Sequence, residues 1–270
     1  MRNRGIKIIF LLLFFCLSFY SGHLLNAEPI QNFNVKEVKP LPPIPSPLKK
    51  PTVGEKLIFD VYWFAFHIGT GALEVTEKTQ VRGREAYHLV AIAKTNDFLS
   101  KIYPVEDEIH SFVDAEGFYA LEFKKTLTEK RYHADEHIIF DYPAQKGHYE
   151  SFWNKSSKDV EIGDKPVLDI LSAFYWFRSQ EIEVNKSLHA LVNSEEKNWD
   201  VEFQVLSRQS KSLHAKQRFD TVLMVPKTSL KGILYERGEA SIYFTTDEKR
   251  TPLVIVLKTP FGSVKGILRN

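Results

Sequence analysis

From residue 53 onward the chain sets apolar against polar positions in short runs broken by turn residues, the period-two texture of half-buried β-strands. Lys56-Leu57-Ile58-Phe59-Asp60-Val61-Tyr62-Trp63-Phe64 is rich in the aromatic and branched side chains that suit a pleated surface. Ile68-Gly69-Thr70-Gly71 offers a turn before Ala72-Leu73-Glu74-Val75-Thr76-Glu77, so the two segments are predicted to form a hairpin. Strand-like runs follow at 86–93, 109–113, 120–126, 137–141 and 148–153, and resume at 187–192, 199–206, 223–226, 240–244, 253–258 and 263–268. Val81-Arg82-Gly83, Asp114-Ala115-Glu116-Gly117 and Pro260-Phe261-Gly262 supply turn chemistry between them. Strands so closely spaced leave no room for crossover helices, and mainly antiparallel sheets are expected.

One stretch breaks the alternation. Asp169-Ile170-Leu171-Ser172-Ala173-Phe174-Tyr175-Trp176-Phe177-Arg178 opens on an N-cap acid and then carries apolar residues at helical spacing. It is predicted to be the main helix, packed on the sheet. Its aromatic density fits either core packing or the wall of a ligand cavity, with Phe174, Tyr175 and Trp176 as the wall residues.

The first 27 residues follow a different rule. Arg2, Arg4 and Lys7 precede an apolar run from Ile8 to Tyr20, with Ala27 at a cleavage point before Glu28, the parts of a secretory signal peptide. That run is shorter than the roughly 20 apolar residues of a spanning helix. A cleaved signal at 1–27 and an exported, periplasmic protein without a transmembrane segment are expected, with an uncleaved anchor as the alternative. Residues 28–52 crowd Pro40, Pro42, Pro43, Pro45, Pro47 and Pro51, which fix φ and favour an extended, semi-rigid tether. A single domain is expected over 53–270.

Removing the signal changes the charge and cysteine arguments. The whole chain has 36 basic against 34 acidic residues; without Arg2, Arg4 and Lys7 the ratio becomes 33 against 34, a net charge of −1. Bulk charge therefore favours neither nucleic acid nor an anionic membrane surface as a partner. The one cysteine, Cys16, leaves with the signal, which removes disulfides, a cysteine nucleophile and cysteine metal sites together.

Gly54-Glu55-Lys56-Leu57-Ile58-Phe59-Asp60-Val61, Gly69-Thr70-Gly71, the 169–178 helix and Asp247-Glu248-Lys249-Arg250-Thr251-Pro252-Leu253 together resemble the exported bacterial family DUF3108, a domain of unknown function. The resemblance implies a mainly β fold: a curved antiparallel sheet forming an open or spiral barrel-like structure, with one short aromatic helix packed on it. It implies no catalytic residues, and it leaves Asp169, Arg178 and Arg250 as structural positions.

Candidate chemistry is sparse. His133-Ala134-Asp135-Glu136-His137 fits H-x-x-E-H, a zinc-peptidase pattern that works only on a helix, and here it lies between strand-like runs. In a strand, residues four apart stand about 13 Å apart, too far for one metal ion. Ser172 with Asp169 and a histidine could be assembled into a hydrolase, but the spacing is that of a helix cap. No metal and no cofactor are expected. The aromatic loop around Phe98, Ile102 and Tyr103 fits a lip over a cavity or a plug at one end of the barrel. The expectation is a non-enzymatic envelope protein that binds a lipid, lipoprotein or other lipophilic ligand on its concave face; a protein-interaction scaffold and an unrecognised hydrolase are the alternatives.

Overall fold

The computed structural model describes residues 49–130, 132–194, 196–213, 217–230, 233–235, 239–259 and 262–269. The expected signal peptide and the part of the expected tether up to residue 48 lie outside the described residues. The elements in chain order are β1 (Lys56–Trp63), β2 (Phe66–Val81), β3 (Arg84–Thr95), α1 (Asp97–Ser100), β4 (Val105–Asp114), β5 (Ala120–Glu129), β6 (Tyr132–Asp141), β7 (Lys146–Ser151) and β8 (Ser156–Glu161). Then come β9 (Leu168–Asp169), α2 (Ile170–Arg178), β10 (Ser187–Ser194), β11 (Lys197–Leu213), β12 (Gln217–Leu230), β13 (Ile233–Tyr235), β14 (Glu239–Thr245), β15 (Pro252–Thr259) and β16 (Gly262–Leu268).

Nearly all strands join one sheet in the order β8-β7-β6-β5-β4-β3-β2-β1-β16-β15-β14-β12-β11-β10-β9, with β13 hydrogen-bonded to β12. The chain steps outward from β1 to the edge at β8, restarts at the other edge with β9, and returns to β16 beside β1. Pairing is antiparallel except between β9 and β10, where α2 forms part of the crossover that parallel neighbours require. The sheet is curved and not closed, with β8 and β9 as its ends.

Alternation decides which side chains face inward. In β1, Phe59 and Val61 are buried between the outward Ile58, Asp60 and Tyr62; in β3, Leu89, Ala91 and Ala93 are buried between His88, Ile92 and Lys94. The curvature follows from α2. This helix touches β3 and β4 on one side and β9 and β10 on the other, while its rings meet Phe203 of β11 and Phe244 of β14. In the pairing order β4 and β10 are nine steps apart, about 43 Å on a flat sheet at 4.8 Å per step. A helix about 10 Å wide reaches both only if the sheet curls round it. Tyr175, Trp176 and Phe177 are accordingly in the same buried cluster as Phe59, Leu89, Phe140 and Trp199.

The predicted turn at 68–71 is corrected. Gly69 and Gly71 lie inside β2, and the β1–β2 reversal occurs at Phe64-Ala65, with a register shift at Val61/Tyr62. Gly69 is needed for close approach rather than for turning, because a Cβ there would collide with the carbonyl oxygen of Lys94 on β3. Two further elements had no apolar alternation to reveal them: β8, whose sequence is the polar Ser-Ser-Lys-Asp-Val-Glu, and the four-residue α1 inside the stretch expected to be a loop.

Candidate functional site

Because successive strands are antiparallel, the β1–β2, β3–β4, β5–β6 and β7–β8 connections all lie at one end of the sheet, called here the upper end. The β15–β16 connection joins them, since Trp63 pairs with Val264. Six of the eight exposed large hydrophobic residues among the described residues belong to this end: Phe64, Phe66, Phe98, Ile102, Phe152 and Trp153.

Helical spacing sorts the β3–β4 connection into two faces. Asn96 caps α1 by accepting the N–H of Leu99 at 2.8 Å and ties it to β2 by donating to the carbonyl of His67 at 2.7 Å. Leu99 and Tyr103, four residues apart, then pack on a second core of Val61, Ile68, Val105, Leu257 and Val264. Phe98 and Ile102, the neighbouring pair with the same spacing, are turned to solvent at 75% and 57% exposure. Leu99 and Tyr103 thus plug the end, while Phe98 and Ile102 stand outside it. Phe64 adopts a positive φ of 53°, a region a bulky residue rarely enters, and a Cβ on Gly262 would collide with its ring. Trp153, 60% exposed, packs at a tilt against His133 with ring centroids 4.7 Å apart.

The helix residues, read from the sequence as either core or cavity wall, are placed in the core. Tyr175 and Trp176 are almost fully buried, and Phe174 is partly buried against Phe244 at 5.7 Å. Asp169 caps α2 as predicted. It accepts the N–H groups of Leu171 and Ser172 at 2.8 and 2.9 Å, and takes a 2.5 Å hydrogen bond from the buried hydroxyl of Ser111 on β4. Burial pushes its pKa up against those hydrogen bonds. Ser172 is engaged at both ends of its hydroxyl, accepting from the Asp169 N–H at 2.8 Å and donating to the Asp169 carbonyl at 3.0 Å.

At the lower end Arg178 forks onto Glu55 at 2.6 and 2.8 Å and donates to the carbonyls of Lys249 and Arg250 at 3.2 and 3.1 Å. The C-terminus of α2 is thereby fixed to the start of β1 and to the β14–β15 turn, a partnership for Glu55 that no local pattern could indicate. Arg250 is a turn residue: its φ is 44° and its N–H donates to the carboxylate of Asp247 at 3.1 Å.

The H-x-x-E-H segment is strand β6, and alternation divides it between two faces. Glu136 points inward to Lys125 at 2.7 Å, whereas His137 pairs with Glu122 at 3.2 Å and His133 lies under Trp153. Other histidines pair across neighbouring strands, His88 with His110 at 2.9 Å and His148 with Asp159 at 2.6 Å. Among the described residues no group of three or more His, Cys, Asp or Glu side chains is arranged to hold a metal ion. Inside the upper part of the sheet, burial raises Asp107 to about 6 against a hydrogen bond from the Thr128 N–H.

A single, mainly antiparallel sheet curled round one helix and left open at a seam defines a barrel-like β protein. The chain belongs to the family described as protein of unknown function (DUF3108), whose model matches residues 58–269. The fold is similar to the crystal structure of a beta-barrel-like protein of domain of unknown function DUF1849 from Brucella abortus, with a TM-score of 0.52 and 10% identity over 80% of this chain and 95% of that one. At that identity the likeness concerns the fold alone. No curated protein matches the chain.

Proposed function

We propose that the protein is exported to the cell envelope and works there without catalysis, engaging a lipophilic envelope component through its upper end. The signal-peptide pattern of residues 1–27 supports export. The observation that carries the reading is the contrast between two sets of aromatic residues. Tyr175, Trp176 and Phe177 are packed into the curled sheet, whereas Phe64, Phe66, Phe98 and Trp153 project from one end of it. Exposed apolar side chains gathered on the connections of one end mark that end as the contact surface, and helix α2 occupies the interior where an acyl chain was expected. The scaffold alternative, docking by a sheet edge, has less support. Edge strand β8 carries Lys158, Asp159 and Glu161, the charges that discourage strand addition.

Apolar-dye fluorescence tests this reading on protein recovered from an exporting cell. Phe98→Ser with Trp153→Ser is expected to remove most of the dye signal while leaving the thermal midpoint unchanged. Retention of the protein in the cytoplasm, or an undiminished dye signal, would overturn it.

A further inference from the structure

We infer that the upper end docks on the interfacial zone of an anionic lipid bilayer. This rests on the reading that the upper end is the contact surface, and it names the partner. The geometry is one of separated tips rather than a continuous patch. Adjacent strands stand about 4.8 Å apart, so successive connections at one end are about 10 Å apart along the curved rim. Phe64 and Phe66 mark the first, Phe98 and Ile102 the second, Phe152 and Trp153 the fourth. Within these connections stand the exposed lysines Lys101, Lys130 and Lys155 against the exposed acid Asp97, while on the adjoining strand ends Lys94 is paired with Glu106 and Asp135 is exposed. Aromatic rings settle at the headgroup level of a bilayer, and basic groups near them are drawn to anionic lipid. A globular partner would instead favour a contiguous apolar surface with few lysines at its centre.

Three further features fit that partner. The apolar tips are held rather than merely displayed: Phe64 by a left-handed turn beside Gly262, Trp153 by His133, and Phe98 with Ile102 by the capped α1 and the plug residues Leu99 and Tyr103. Rings fixed in advance lose less conformational freedom on docking. The side chains are short enough to enter only the upper 5–10 Å of a leaflet, which is interfacial rather than spanning. Finally, the chain joins the domain at the opposite end. Lys50 donates to the carbonyl of Ala115 at 2.8 Å and Lys49 pairs with Glu248 at 3.7 Å, both in connections of the lower end.

Cosedimentation with vesicles tests the inference on the full exported protein. Vesicles of phosphatidylglycerol and phosphatidylcholine in equal parts are compared with phosphatidylcholine alone at about 0.1 M salt, where screening still leaves charge effects over roughly 10 Å. Binding to the anionic vesicles is expected, with a blue shift of Trp153 emission. Phe98→Ser/Ile102→Ser/Trp153→Ser should weaken it more than tenfold. Lys101→Gln/Lys130→Gln/Lys155→Gln should weaken it by roughly 5-fold per lysine removed. Phe152→Ser, which leaves Trp153 as reporter, covers the case in which the triple variant fails to fold. Equal binding to both vesicle types, or undiminished binding by the folded variants, overturns the inference. Absence of vesicle binding with the dye signal intact also overturns it, and leaves the upper end as the contact surface for another lipophilic component.

Discussion

Replacing Asp169 tests how α2 is held inside the sheet. Asp169→Ala removes the N-cap acceptor for Leu171 and Ser172, a loss typically worth about 1 kcal/mol. It also leaves the hydroxyl of Ser111, fully buried, without its acceptor, at about 1–3 kcal/mol. Part of this is offset, because burial already disfavours the Asp169 carboxylate. A net loss of about 2 kcal/mol is expected, lowering the midpoint by about 4–8 °C for a domain of this size. Asp169→Asn keeps a side-chain oxygen for the cap and drops the buried charge, and should cost about 1 kcal/mol or less. Both variants also separate from the parent by pH. Because the folded pKa is raised, the native state holds this proton more tightly than the unfolded chain, so stability falls as pH rises from about 4 through the folded value. Both variants lack that component and should show a flatter profile than the parent. Urea unfolding followed by tryptophan emission, at acid and neutral pH, measures both effects. An Ala variant within about 1 kcal/mol of the parent, or an Asn variant as damaged as Ala, would refute the account.

Two other expectations follow from the polar interior. Arg178→Met should cost about 3 kcal/mol, the lower part of the range for breaking a buried pair, because it strands the carboxylate of Glu55, whose side chain is 24% exposed; Glu55→Ala in the same background should then add little to the loss in denaturant midpoint. Asp107, raised to about 6, makes the native state less stable as pH climbs from about 4 to 6, by up to roughly 3 kcal/mol; Asp107→Asn should remove that part of the slope in a stability-against-pH series, and an unchanged slope would contradict the assignment.

Local chemistry made several of these features readable in advance. Period-two alternation identified most of the strands, and short connections with turn residues identified antiparallel order. Asp169 announced its helix because an acid before an apolar 3.6-residue repeat has few other uses. Arg250 behaved as a turn residue for a similarly local reason. The glycines of β2 were misread because glycine serves both sharp turns and close strand contact, and only the position of Lys94 on β3 distinguishes the two.

Other features depended on closure of the sheet. Nothing near Glu55 in sequence marks it as the partner of Arg178, since the pair is assembled from segments 123 residues apart. Tyr175 and Phe98 are both aromatic residues in short helical segments, yet one is enclosed and the other exposed, because the sheet curls round α2 and ends beneath α1. Strand alternation, the α2 helix and its Asp169 cap could be read from the chain alone, because they follow from interactions within a few residues. The direction faced by each aromatic residue, and the gathering of Phe64, Phe98 and Trp153 at one end, came from the order and register of strands far apart in the chain.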